Sequence, residues 1–186
     1  MKTAAAKDGT LLLCIDMQPV FVRAVADGPR ILRRCQFAVS AARGLGIAAA
    51  FTEQVPEKLG AADPGLVSLA GEREVHAKAQ FSALAPGSPV LAAVGERAIG
   101  HVAICGVETP ICVYQTAVDA LRAGLEVTVL SDCVGARREE DARACLESLA
   151  RSGARILPAE TFFYGVLGSA THPFFREFTE LVKKYG

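Results

Sequence analysis

Cys112 sits at the end of the stretch Cys105-Gly106-Val107-Glu108-Thr109-Pro110-Ile111-Cys112, where an apolar run gives way to helix-starting residues. Thr109 is a good N-cap, and Pro110 suits the first helical position, where a missing N–H costs nothing. Cys112 then falls in the first turn. Free N–H groups and the positive end of the helix dipole stabilise a thiolate there, so a lowered thiol pKa is expected. A nucleophile mounted this way could serve acyl, redox or metal chemistry.

Two charged residues stand beside apolar runs. Asp16 directly follows Leu11-Leu12-Leu13-Cys14-Ile15, and reads either as a turn cap or as a site residue at the carboxyl edge of a sheet. Lys78 lies in Glu74-Val75-His76-Ala77-Lys78-Ala79, either as a site residue on a central strand or as the guard of an edge strand. Chemically the three make a unit. Cys112 would be the nucleophile, Asp16 the base that takes its proton, and Lys78 the cation that holds the carboxylate. His76 shares the Lys78 side of its strand and is an alternative base, whereas His101, at the far end of its strand from Cys112, reads as structural.

The elements that must position these residues follow from periodicity. The run before Asp16 is continuously apolar, the pattern of a strand buried on both faces. Apolar residues at three- and four-residue steps predict a helix over 29–43, closed by Gly44 and Gly46. A second strand over 47–52, a long loop over 53–69 and the Lys78 strand follow. A short helix at 89–98 leads to a strand at 101–105, then to the helix opened by Pro110 and ended by Gly124. Next come a strand at 127–130, a helix at 139–151, a strand at 155–158 and a last helix at 173–184 presenting Phe174, Phe178, Leu181 and Val182. This alternation predicts an α/β three-layer sandwich, with a six-stranded, mostly parallel sheet between two layers of helices. The carboxyl ends of strands one, three and four then share one edge, so Asp16, Lys78 and Cys112 can converge.

Composition narrows the partners. With 186 residues, 51% of them hydrophobic, one core and one domain over 1–186 are expected, with a flexible alanine-rich N-terminus at 1–10. Twenty basic and 20 acidic residues cancel, so no field gathers nucleic acid or a membrane surface, and a small-molecule partner is expected. No apolar run approaches the ~20 residues of a membrane span, which reads as cytoplasmic. The six cysteines include no C-x-x-C and the three histidines lie far apart, so neither a disulfide framework nor a local zinc signature is read. Cys14 and Cys105, within apolar strands, read as small buried hydrophobes. Cys133 is the one candidate resolving thiol if Cys112 were redox-active. No Gly-x-Gly-x-x-Gly follows the first strand, so no dinucleotide cofactor is expected.

Asp16-Met17-Gln18, Lys78 followed by Phe81-Ser82, and Gly106-Val107-Glu108-Thr109-x-x-Cys112-Val113 together resemble the signatures of isochorismatase-like cysteine hydrolases. Thr52-Glu53-Gln54-x-Pro56-x-x-Leu59-Gly60 and Gly168-x-Ala170-x-His172-Pro173 further resemble the subgroup called isochorismatase domain-containing proteins. The resemblance runs from the first strand to the last helix. It implies a Rossmann-like hydrolase fold and a triad of Asp16, Lys78 and Cys112. It also implies a cis peptide between Val107 and Glu108, and an oxyanion hole built from the backbone N–H groups of Glu108 and Cys112. Gln18, Phe21, Gln54 and Phe81 are the expected substrate-contacting residues. The implied reaction is attack of Cys112 on an amide-like carbonyl, loss of amine and hydrolysis of the thioester. Metal-dependent nicotinamidases of the superfamily use an Asp-x-His motif and a histidine after the second strand. The corresponding Phe51-Thr52-Glu53-Gln54-Val55-Pro56 has no histidine, so no metal and no cofactor are expected, and the presence of Cys112 argues against isochorismate cleavage. Homo-oligomers are common in the family, and the last helix is the candidate interface. The alternative function is a non-catalytic or weakly active binding or assembly protein that retains the hydrolase pocket.

Overall fold

The computed structural model describes residues 9–71 and 74–186; most of the expected N-terminal tail, residues 1–8, lies outside them. In chain order the elements are β1 (Thr10–Ile15), α1 (Pro19–Ala24), α2 (Gly28–Leu45), β2 (Ala48–Gln54), α3 (Pro56–Leu59), α4 (Pro64–Val67) and β3 (Glu74–Lys78). They continue as α5 (Pro89–Glu96), β4 (His101–Val107), α6 (Tyr114–Arg122), β5 (Glu126–Gly135), α7 (Glu139–Arg151), β6 (Arg155–Leu157), α8 (Ala159–Leu167) and α9 (Phe175–Tyr185). The six strands form one sheet in the order β3-β2-β1-β4-β5-β6, and every pairing is parallel.

All six residues of β1 and all seven of β4 are buried, as continuously apolar central strands require. Alternate side chains feed two cores. Leu12, Cys14, Ala103, Cys105 and Leu130 meet Phe37 and Ala38 of α2, Phe163 of α8 and Phe178 of α9. Leu11, Leu13, Ile15, Val102 and Ile104 meet Val94 of α5, Ala117 of α6 and Leu149 of α7. Each such Leu or Ile contributes roughly 1.5–3 kcal/mol relative to an exposed one. At the carboxyl end of the central pair the backbones approach so closely that a Cβ on Gly106, whose φ is 109°, would lie 2.1 Å from the Ile15 carbonyl oxygen.

Several expectations change. The segment 53–69 is not an irregular loop: β2 runs on to Gln54, and α3, α4 and a 3-10 turn at Ser68–Ala70 follow. Local bonds hold it, from Ala62 N–H to Glu53 Oε1 at 2.8 Å and from Leu66 N–H to Asp63 Oδ1 at 2.8 Å. Gly44 lies inside α2, which ends on Gly46 in the left-handed conformation with φ 72°. β5 is ten residues long because it bulges: Ile104 pairs with Val129, but Gly106 pairs with Val134. Two further helices not expected, α1 and α8, complete the layers. The apolar stripe of the last helix is not a free interface, since Phe178 is fully buried and packs on Phe37, Phe163 and Tyr164.

Candidate active site

β1, β3 and β4 deliver three side chains to one end of the sheet. Asp16 follows β1 with a φ of 49°; its N–H donates to the Thr52 carbonyl at 3.1 Å and its Oδ1 accepts from the Thr52 hydroxyl at 2.7 Å. It is 1% exposed. Lys78 donates from Nζ to Asp16 Oδ2 at 2.7 Å and to Gln54 Oε1 at 2.6 Å, and also reaches the carbonyls of Gln80 and Phe81 at 3.3 Å. β3 is an edge strand, yet the Lys78 side chain is only 5% exposed. The choice between edge guard and site residue dissolves: the strand is at the edge and its lysine turns inward. A buried pair with this many bonds avoids the stranded charge that makes buried ions costly.

Cys112 enters differently from expected. The turn before α6 is one turn of π-helix, Thr109–Val113, capped by Glu108. The Glu108 carbonyl accepts from both Ile111 N–H at 3.1 Å and Val113 N–H at 3.2 Å. Thr109 is therefore the first helical residue rather than the cap, and its buried hydroxyl has no hydrogen-bond partner. Single π-turns within helices recur at functional sites. The peptide between Val107 and Glu108 is cis.

The expected lowering of the thiol pKa is reversed. Burial, at 7% exposure, and then the Asp16 charge push the Cys112 thiol up to about 12, against the opposing pull of Lys78. The resting sulfur is a thiol, so this site suits proton removal during attack better than a standing thiolate.

Asp16, Phe21, Gln54, Phe81, Val107, Glu108, Ile111 and Cys112 line a single cavity of ≈ 80 Å³. Phe81 is 59% exposed at its mouth. Of the expected substrate contacts, Phe21, Gln54 and Phe81 reach this cavity and Gln18 does not. Gln18 is fully buried behind it, donating to the carbonyls of Gln54 and Gly60 at 3.0 and 2.6 Å and accepting from Gln54 N–H at 2.7 Å. Val107 and Ile111 contribute apolar wall; nothing local in the sequence distinguishes Ile111 from core. The Glu108 carboxylate leaves the cavity to pair with Arg137 at 2.9 Å.

The histidines stand elsewhere. His76 is held by Glu74 at 2.9 Å, and His101 bridges Thr10 and Thr128 at 3.2 and 2.9 Å. Asp16 is the carboxylate within reach of Cys112, and Thr52 and Lys78 occupy both its oxygens. No histidine lines the cavity. That donor set fits an acid–base and nucleophile pair better than a metal centre.

Residues 10–161 match the profile of the isochorismatase domain. Isochorismatase domain-containing protein 2 of Bos taurus is 36% identical over 174 residues, covering 94% of this chain and 82% of that protein. Isochorismatase domain-containing protein 1 of Salmo salar is 33% identical over 175 residues. That alignment covers 94% of this chain but only 61% of the longer relative. Among solved structures, the MAR1 ribonuclease of Caenorhabditis elegans superposes with a TM-score of 0.90 at 28% identity, covering 97% of this chain and 93% of that one.

Proposed function

We propose that this chain, which belongs to the isochorismatase family, is a metal-independent cysteine hydrolase that cleaves a small amide-like C–N bond through a thioester on Cys112. The observation that carries this reading is the buried Asp16–Lys78 pair, 2.7 Å apart, on the wall of the cavity that Cys112 also lines.

Attack begins from the neutral thiol. Asp16 accepts the Cys112 proton as the sulfur bonds to the carbonyl carbon, so no free thiolate need accumulate despite a thiol pKa near 12. Lys78, 2.7 Å from Asp16 Oδ2, holds the carboxylate in place beforehand. In this reading the backbone N–H groups of Glu108 and Cys112 receive the developing oxyanion. Protonated Asp16 then returns its proton to the leaving amine, and the same carboxylate activates water to release the acyl group from sulfur. The walls select the acyl part: ≈ 80 Å³ between Phe21, Phe81, Val107 and Ile111 suits a short, uncharged group. RNA cleavage, the activity named for the Caenorhabditis elegans relative, fits this chain less well. The cavity is too small for a nucleotide, and 20 basic residues are cancelled by 20 acidic ones.

A panel of short aliphatic amides and esters, with a single-stranded RNA arm, tests the proposal on wild type and Cys112→Ala. Turnover of one or more short amides or esters is expected, lowered on the order of 10³-fold or more in the variant. Equal rates in both proteins, or cysteine-dependent cleavage of RNA alone, would refute it; binding without turnover across the panel would favour the non-catalytic alternative.

A further inference from the structure

We propose that Cys14, Cys35 and Cys105 form a trithiol site for a trivalent thiophilic ligand, arsenite, in the core on the α2 side of the sheet. The three sulfurs all lie within 4.8 Å of one another. Cys14 and Cys105 are register partners on β1 and β4, and Cys35 comes down on them from α2. Each is at most 1% exposed. None belongs to the cavity of Cys112, which packs into the core on the other face of the sheet. Trivalent arsenic is pyramidal, so with bonds to sulfur of about 2.3 Å and angles near the right angle its three sulfurs stand about 3.4 Å apart. The trio, now within 4.8 Å of one another, therefore needs to close by up to about 1.4 Å.

Charge decides which centre fits. The thiols sit among Leu12, Phe37, Ala38, Ala103 and Leu130, where net charge is costly without a partner. A divalent zinc ion on three thiolates leaves one negative charge, and cuprous ion leaves two. The neighbouring cation, Arg34, cannot compensate them, because Asp132 and Glu160 already hold it at 2.8 and 3.2 Å. Cys133 is not a ready fourth ligand either: its sulfur donates to the Arg34 carbonyl at 3.3 Å, while its own carbonyl accepts from Cys35. Arsenous acid enters neutral and leaves a neutral adduct. Three As–S bonds replace three As–O bonds, each thiol proton departs with a hydroxide as water, and arsenic stays trivalent. The adduct would staple β1, β4 and α2 together, two residues upstream of Asp16 and of Val107.

The native protein is incubated with sodium arsenite or with zinc chloride, desalted, and examined by native mass spectrometry, arsenic X-ray absorption and thermal melting. One arsenic per chain, three sulfur neighbours and a raised melting midpoint are expected, with zinc lost on desalting. Cys35→Ala should abolish retention, whereas Cys112→Ala and Cys145→Ala should keep it. If Cys35→Ala does not fold, the arsenic absorption of wild type still decides. Mixed sulfur and oxygen neighbours, no retained arsenic, loss of binding in Cys112→Ala, or retention of zinc in place of arsenic would each overturn the proposal.

Discussion

Three influences act on the Cys112 sulfur, and they do not share a sign. Burial and Asp16 favour the thiol, Lys78 the thiolate, and the first two prevail. Asp16 therefore plays two opposed parts in the proposed chemistry, holding the proton on sulfur at rest and removing it during attack. Asp16→Asn should separate them. Losing the negative charge lowers the thiol pKa, so alkylation of Cys112 by iodoacetamide at pH 8 should quicken, while turnover of the best panel substrate should fall about 10²–10⁴-fold. Peptide mapping and steady-state rates read the two effects; a fall in both would reduce Asp16 to a scaffold. In wild type the thiolate is a minor form until pH approaches about 12. Its alkylation rate should accordingly rise about tenfold per unit between pH 8 and 10, without levelling.

At the scale of elements, the site depends on how tightly β1 and β4 lie together where both end. Gly106→Ala would thrust a methyl into the Ile15 carbonyl from a backbone with φ 109°, and a loss of about 2–4 kcal/mol is expected in urea unfolding. Unchanged stability would mean that the strands can separate, and the triad with them. The central elements were legible in sequence because their signals are local: the continuous apolar run before Asp16, the three- and four-residue steps of α2, and the breaks at Gly46 and Gly124. Non-local causes were not. The start of α8 is held by Asp132, whose Oδ1 accepts from Ala159 N–H 27 positions away. The inward turn of Lys78 depends on Asp16 and Gln54 across two neighbouring strands. The π-turn that displaces Thr109 from the cap position rests on how Glu108 leaves β4, which residue preference alone does not encode. The rise in the Cys112 pKa needs its burial, and burial is a property of the packed site.

At the scale of the whole molecule, the sheet's two ends are specialised differently. The carboxyl end carries the cavity, whereas the amino end buries His101 between Thr10 and Thr128. Burial, helped by Arg155 and opposed by Glu126, pushes that imidazole down to about 4. Below pH 6.5 the unfolded chain takes up a proton that the fold does not, so stability is lost as pH falls from about 6.5 to about 4, by up to about 3 kcal/mol. Urea unfolding at pH 7 and pH 4.5 should show that loss reduced in His101→Gln; an equal loss in both proteins would place the acid sensitivity elsewhere. Among the described residues no helix is long and apolar enough to cross a membrane. Phe178 and Tyr185 of α9 are committed to the core, whereas Phe81 and Val20 stand exposed elsewhere on the surface. The central claim, that Cys112 carries the acyl group, is tested most directly by rapid acid quench of the enzyme with a short-chain ester, followed by intact-mass and peptide analysis. An acyl-sized mass gain on the Cys112 peptide that forms and decays within turnover, and is absent in Cys112→Ala, is expected. Turnover with no adduct on Cys112, persisting in that variant, would contradict it.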